Sequence, residues 1–222
     1  MKKVFTILAI YFSISAFAQE KEKDSTENDV KIYIGVGVQM QSKLNINTKL
    51  LMSNLPRVPE AMPELVFGFT NFGKKISSSI EFNGVWSPEQ KGPNHTRYAM
   101  TNIRANVSYN LVNRKKVAFT TGLNLAYTYT QFDISNENNV VDFNNLNPST
   151  NTGHIQLYNS RLYAGPSAAL YLFRATNFPV RLQVAYEIGL TPGTWRSEFV
   201  NTANAVNERG RNRFLVGLVF GI

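Results

Sequence analysis

The segment that decides the fold is RFLVGLVFGI, residues 213–222. Its even-numbered positions hold Phe, Val, Leu, Phe and Ile, whereas its odd-numbered positions include an arginine and two glycines. Successive side chains of a β-strand point to opposite faces of the sheet, so this order places all the even-numbered apolar side chains on one face. The segment therefore predicts a β-strand with one wholly apolar face and one mixed face.

The same two-residue period recurs in seven earlier segments of the chain. Pro166 falls within one of them and lacks a backbone N–H, which predicts a β-bulge at that position. Eight strands indicate an all-β protein, and an even number is what a bacterial single-chain membrane barrel requires. The seven earlier predicted strands span residues 31–41, 65–72, 76–86, 99–112, 117–131, 161–173 and 180–191.

The connections between the predicted strands alternate between long and short. Long polar connections span 42–63, 87–97, 132–160 and 192–212. The short connections between them span 73–75, 113–116 and 174–179. Outer-membrane barrels have short periplasmic turns and long external loops. The pattern predicts an eight-stranded antiparallel up-and-down transmembrane β-barrel in the bacterial outer membrane, with both chain ends in the periplasm.

Glycine distinguishes a membrane barrel from a soluble barrel, which would bury the apolar face instead. The solvated face of a soluble sheet contains little glycine, because glycine weakens strands and packs against nothing. A narrow eight-stranded lumen needs small residues beside large ones. The polar face is therefore predicted to line the lumen, since it carries Gly35, Gly37, Gly68, Gly122, Gly165, Gly189, Gly217 and Gly221.

Aromatic residues on the apolar face fall near the two ends of the strands. Membrane barrels carry an aromatic girdle at each interface, on either side of an apolar band about 25 Å tall. The predicted external girdle contains Trp86, Tyr127, Tyr129 and Phe214, and the predicted periplasmic girdle contains Tyr109, Phe119 and Phe220.

The N-terminus has the features of an export signal. Residues 1–18 contain two lysines, a short apolar run and the ending Ala-Phe-Ala, which predict a signal peptide. Residues 19–29 are charged and lack apolar side chains, which predicts a disordered periplasmic lead-in, and residues 30–222 are predicted to form the barrel. The chain has no cysteine, which excludes disulfides and a lipid-modified cysteine at the cleavage site.

The exported chain is basic, with 21 of the 23 Lys and Arg residues remaining beside 15 Asp and Glu. On an exported protein this balance favours lipid phosphates or acidic glycans as partners over nucleic acid.

These features resemble the small outer-membrane barrels typified by the transmembrane domain of outer membrane protein A and by outer membrane protein X. The resemblance covers residues 30–222 and rests on architecture, while the Ala-Gln cleavage site is similar to those of Bacteroidetes exported proteins. It implies that the last strand is recognised by the barrel assembly machinery. The residues at the signal positions are Phe214, Phe220 and Ile222, where the family more often ends on Phe.

Charged residues on the lumen parity offer the first candidate site. Estimated heights place Glu81 near Arg104 and Glu187 near Arg213. Such charges could form a selectivity ring in a narrow pore, or they could form ion pairs that fill a closed core, which is favoured for eight strands. The predicted network contains Lys31, Glu81, Arg104, Arg161, Arg181, Glu187 and Arg213.

Catalytic and metal sites are not indicated by the sequence. GVGVQM at 35–40 lacks the third glycine and the helix of a dinucleotide loop. A hydrolase would need a serine close to a histidine, and neither His95 nor His154 has a serine within two residues. No catalytic residue, metal or cofactor is predicted.

The external loops offer the second candidate site. Arg196, Arg209 and Arg211 could pair with lipopolysaccharide phosphates, or they could be solvated loop charges. The sequence thus predicts a non-enzymatic barrel with a filled polar lumen, whose loops contact lipopolysaccharide, surface ligands or an unknown protein partner. A narrow solute channel is the alternative, and a lipid-modifying hydrolase ranks third.

Overall fold

The computed structural model describes residues 29–139, 154–176, 178–197 and 201–221. The predicted signal peptide, residues 19–28 of the predicted lead-in and Ile222 of the predicted assembly signal lie outside these ranges. Those three expectations remain predictions.

Eight antiparallel strands follow one another around a closed barrel, and the last strand pairs with the first. One short helix, α1, spans Ile46–Met52. The predicted fold class is confirmed. The strands are β1 Asp29–Gln41, β2 Ala61–Phe72, β3 Ile76–Lys91, β4 Asn94–Asn113, β5 Val117–Asn136, β6 His154–Leu172, β7 Val180–Gly189 and β8 Arg213–Gly221.

The apolar parity faces outward, as predicted. Along β8, Phe214, Val216 and Phe220 are exposed, whereas Leu215 and Val219 are buried inside the barrel. The other strands show the same alternation, for example Ile32, Ile34 and Val36 of β1. An apolar surface all around a closed barrel suits the hydrocarbon of a bilayer, because closure also satisfies every strand edge. Among the described residues, no helix is long and apolar enough to cross a membrane.

Several strands are longer than the alternation predicted. β4 and β5 have 20 residues each and β6 has 19, whereas β8 has 9. A membrane strand needs only about 9–11 residues, so the ends of β3 to β6 opposite the short turns extend beyond the length that a bilayer requires. We call this extension the external wall, because the sequence analysis predicts the extracellular side at this end. The predicted long loop 87–97 is therefore wrong, since β3 and β4 continue to a turn at Gly92 and Pro93.

One further local prediction was wrong, and one element was not predicted. The first long connection contains α1, whose buried residues Ile46, Asn47 and Leu50 lie on one face. No bulge occurs at Pro166, because Ala164 pairs with Ile188 and Ser167 with Ala185 in one unbroken register. Proline interrupts the ladder there without adding a residue to the strand. The register shift lies in β4 instead, between Asn110 and Val112.

Candidate functional site

Arg104 lies at the centre of a buried ion-pair network in the lumen. Its Nη1 donates to Glu81 at 2.9 Å, its Nε donates to Glu187 at 2.9 Å, and its Nη2 donates to Glu64 at 3.2 Å. The guanidinium therefore contacts three carboxylates from three other strands. All four side chains are almost fully buried.

Two further arginines complete this network on either side of Arg104. Arg181 Nη2 donates to Glu81 at 2.5 Å, and Arg213 Nε donates to Glu187 at 2.5 Å. Glu81 and Glu187 thus each lie between two guanidinium groups, which offsets the cost of burying their charges. The network joins β2, β3, β4, β7 and β8 across the lumen.

Two predicted members lie outside the network. Lys31 lies at the end of the barrel with the short turns, where its Nζ donates to the Arg174 carbonyl at 2.7 Å. Arg161 is buried nearer the end opposite the short turns, in register with Thr128, and stacks on the Tyr163 ring at 5.1 Å. No carboxylate among the described residues lies within ion-pair distance of Arg161. A position on the lumen face of a strand does not by itself give the height of the residue along the barrel axis, so the sequence could not separate Lys31 and Arg161 from the network.

The network includes Glu64, which the sequence analysis missed. The predicted connection ends at Pro63 and the predicted second strand begins at residue 65, so Glu64 falls between them. In the structure β2 begins at Ala61, and Pro63 pairs with Val38. The alternation of Met62, Glu64 and Val66 could have placed Glu64 on the lumen face.

The part of the lumen at the end opposite the short turns is apolar, which corrects the prediction of a polar lumen throughout. The β1–β2 connection folds over the barrel mouth, and α1 packs there against side chains of the strands and of the β7–β8 connection. We call these buried residues the apolar plug, which contains Leu44, Ile46, Leu50, Val58, Met62, Val85, Tyr98, Met100, Phe132 and Trp195.

Glu208 fastens the two connections of the plug to each other. Its carboxylate accepts hydrogen bonds from the backbone N–H groups of Asn45 at 2.6 Å and Ile46 at 3.0 Å, and from Trp195 Nε1 at 2.9 Å. The Asn45 side chain makes no capping bond to α1. The fully buried Glu208 carboxylate supplies that cap instead, because it binds the free N–H groups at the start of the helix.

A small cavity of about 30 Å³ lies between Arg104 and Arg181. This volume holds about two water molecules at most. Polar side chains line the cavity, among them Asn106, Asn124 and Gln183. The network and the plug together close the lumen at two levels.

The external wall carries a polar surface on its outer face. Arg97 Nη2 donates to Asp133 at 2.6 Å, His95 Nε2 lies 2.5 Å from Glu137, and His154 Nε2 lies 3.5 Å from Asp133. Burial opposes ionisation of Asp133, but hydrogen bonds from Arg97 and Gln131 outweigh it and lower the pKa of the carboxyl group. The wall therefore presents linked charges rather than an apolar belt.

Strand pairing brings a serine beside both histidines, although the serine is distant from each of them in the sequence. Ser135 pairs in register with His95 of β4 and with His154 of β6. In the described part of the chain, no hydrogen bond joins Ser135 to either imidazole. The described residues also contain no group of three or more acidic or histidine side chains that could hold a metal ion.

The three loop arginines have different surroundings. Arg196 is exposed and pairs with Tyr158 of β6, whose ring packs 5.6 Å from that of Tyr129. Arg209 is exposed at a turn. Arg211 is partly buried, donates to the Asn45 side chain and lies 4.0 Å from Glu208, so it belongs to the plug.

The two described residues of the predicted assembly signal face outward. Phe214 pairs with Met40 and Tyr186, and Phe220 pairs with Ile34 and Val180. The side chain of Phe220 is 43% exposed, at the end of the barrel with the short turns. The two exposed rings therefore lie near opposite ends of β8.

Comparison with known proteins supports this architecture. No protein-family model and no curated protein matches the sequence. Among solved structures, Neisserial surface protein A has a TM-score of 0.54 at 9% identity, covering 86% of this chain and 96% of that one. A major outer membrane protein from Thermus thermophilus has a TM-score of 0.51 at 7% identity, covering 87% of this chain and 99% of that one.

A third similar structure is the attachment invasion locus protein Ail of Yersinia pestis in complex with the heparin analogue sucrose octasulfate. Its TM-score is 0.50 at 11% identity, covering 88% of this chain and 98% of that one. Identities this low concern the fold alone. The resemblance expected from the sequence is confirmed at that level, and the chain has the fold of the small outer-membrane β-barrels.

Proposed function

We propose that this protein is a non-enzymatic outer-membrane barrel that acts through its external surface. The observation that carries the proposal is the closure of the lumen by the Arg104 network and by the apolar plug. A barrel filled in this way offers no wide path for solutes. Its external wall and loops are the surfaces left to contact lipopolysaccharide, surface ligands or a partner protein.

The proposed orientation places the external wall outside the cell and both chain ends in the periplasm. The 20 residues of β5 correspond to a height of about 50 Å for a tilted strand, compared with an apolar band of about 25 Å. The short turns lie at the opposite end, where outer-membrane barrels have their periplasmic turns. The barrel assembly machinery is the proposed partner during insertion.

Conductance measurements test the closed lumen directly. The refolded protein in planar bilayers should show no steady single-channel current, because charged side chains and the apolar plug fill the barrel. The Glu208→Ala variant lacks the hydrogen bonds between the two plug connections. Its current is compared with that of the unmodified protein and should show brief openings at most. Steady, ion-selective conductance of the unmodified protein would instead favour a narrow solute channel.

Within the external surface, we propose that Arg196 contacts lipopolysaccharide phosphates. Arg196 is exposed and lies beside Tyr158, which packs on Tyr129 of the predicted external girdle. A guanidinium at the edge of the membrane belt can bind a phosphate with two hydrogen bonds. Arg209 lies apart from it, since the pairing of Thr194 with Asn207 places Arg196 and Arg209 toward opposite ends of that segment.

Substitution of each arginine by alanine measures its own contribution to lipopolysaccharide binding. Arg196→Ala should weaken the binding of purified lipopolysaccharide about two- to fivefold, the range expected for an exposed ion pair of up to about 1 kcal/mol. Arg209→Ala should have a smaller effect. Titration of the detergent-solubilised protein measures both dissociation constants. Equal dissociation constants for Arg196→Ala and the unmodified protein would remove Arg196 from the proposed surface.

A further inference from the structure

Positive charge is concentrated at the end of the barrel with the short turns. The three short turns contain six Lys or Arg residues and no Asp or Glu. The connections at the other end contain six basic and five acidic residues, so their charges nearly cancel. We call the turn residues the basic rim, which consists of Lys74, Lys75, Arg114, Lys115, Lys116 and Arg174.

Hydrogen bonds between the turns hold the basic rim together. Asn113 Nδ2 donates to the carbonyls of Gly73 at 3.1 Å and Lys74 at 2.9 Å, which joins the first turn to the second. Arg174 Nη1 donates to Asn113 Oδ1 at 2.6 Å, which joins the third turn to the second. The three turns therefore form one connected platform that carries the basic residues, and Arg174 itself is one of the links.

Two exposed aromatic residues place this platform at a membrane interface. Phe173 is 59% exposed and Phe178 is 76% exposed, and both belong to the third turn. Phe220 of the predicted periplasmic girdle lies beside this turn, because it pairs with Val180 at the start of β7. Aromatic rings settle at the level of lipid headgroups. The neighbouring lysines and arginines therefore lie where lipid phosphates are found.

We propose that the basic rim binds the headgroups of anionic phospholipids in the leaflet that faces the short turns. Basic residues next to a membrane surface attract anionic lipid, and each adds to the attraction within a Debye length of the surface. The choice of the periplasmic leaflet rests on the proposed orientation, whereas the preference for anionic lipid rests on the rim alone. Rigid turns reduce the ordering that binding requires.

Lipid selectivity of the reconstituted protein tests this proposal. Electron spin resonance with spin-labelled lipids gives the association constant of phosphatidylglycerol relative to phosphatidylcholine at the protein surface. The unmodified protein should favour phosphatidylglycerol about fivefold at low salt, and the preference should shrink as salt is added. The triple variant Arg114→Gln, Lys115→Gln, Lys116→Gln should lose most of it.

A matched variant removes the same number of exposed charges at the opposite end. Lys43→Gln, Lys49→Gln, Arg57→Gln neutralises three exposed residues of the β1–β2 connection and should keep the full preference. The charge-conserving Lys115→Arg, Lys116→Arg variant should also keep it, which separates charge from folding effects. Equal selectivity in the unmodified protein and the Gln triple variant would overturn the proposal. If the Gln triple variant instead loses binding to isolated peptidoglycan and keeps its lipid selectivity, the rim binds peptidoglycan and the proposal is overturned.

The orientation is tested separately from lipid binding. Because the chain has no native cysteine, a single Lys75→Cys substitution can be labelled selectively with a membrane-impermeant maleimide. The proposed orientation predicts labelling only after the outer membrane is permeabilised. Labelling in intact cells would refute the periplasmic location, and the selectivity measured in vesicles would still decide whether the rim binds anionic lipid.

Discussion

Replacing Arg104 with methionine should lower the free energy of unfolding by about 3–5 kcal/mol, because removing one partner of a buried ion pair leaves the other charge unpaired. Here the loss affects Glu64, Glu81 and Glu187, all within hydrogen-bond distance of the guanidinium. Arg181 and Arg213 would still compensate Glu81 and Glu187 in part. Glu64 would lose its ion-pair partner within the described network, so we expect the upper end of the range.

Urea unfolding in lipid vesicles measures this loss, with Lys91→Ala as the control. Lys91 is exposed, and within the described residues its Nζ donates to the Asn54 side chain alone, at 2.6 Å, so the control should cost less than about 1 kcal/mol. The double variant Arg104→Met, Glu64→Gln should recover part of the loss, since it removes the carboxylate left without a partner. Equal unfolding midpoints for Arg104→Met and Lys91→Ala would show that the network contributes little to stability.

The sequence predicted the lipid-spanning part of each strand because the bilayer imposes the alternation there. Beyond the membrane the outer face of each strand meets water instead of lipid, so its apolar parity disappears although the strand pairing continues. The stretch 87–97 shows this effect: it contains Pro88, Gly92 and Pro93, yet most of it belongs to β3 and β4. These turn-forming residues predicted a connection of eleven residues, whereas the turn between β3 and β4 has two.

The candidate sites show a similar division between local and distant contacts. The pairs Glu81–Arg104 and Glu187–Arg213 lie on adjacent strands in direct register, which estimated heights could approach. The bond between Arg104 and Glu187 crosses the lumen and depends on how the whole barrel closes. The plug was missed because Glu208, not a local capping residue, holds the start of α1, and nothing near residue 45 indicates that distant partner.

Replacing Phe220 with aspartate should strongly reduce the amount of barrel at the cell surface. Phe220 is exposed on β8 at the end with the short turns, where the predicted assembly signal requires a lipid-facing aromatic residue. Within the folded barrel a charge near the interface costs much less than one at the bilayer midplane, so the free energy of unfolding should fall by only about 1–2 kcal/mol. The defect in cells should exceed this loss, because recognition by the assembly machinery precedes folding. Unassembled chain should then accumulate in the periplasm and be degraded.

The two effects of Phe220→Asp are separated by comparing refolding into vesicles with surface levels in cells. Leu182→Asp provides the matched control, because Leu182 is also exposed on the lipid face but belongs to β7, outside the predicted signal. If β8 carries the signal, Phe220→Asp should lose more surface protein than Leu182→Asp for the same loss of stability in vesicles. If surface levels instead follow stability alone in both variants, Phe220 has no separate role in assembly. Its exposed ring would then serve only as an anchor at the membrane interface.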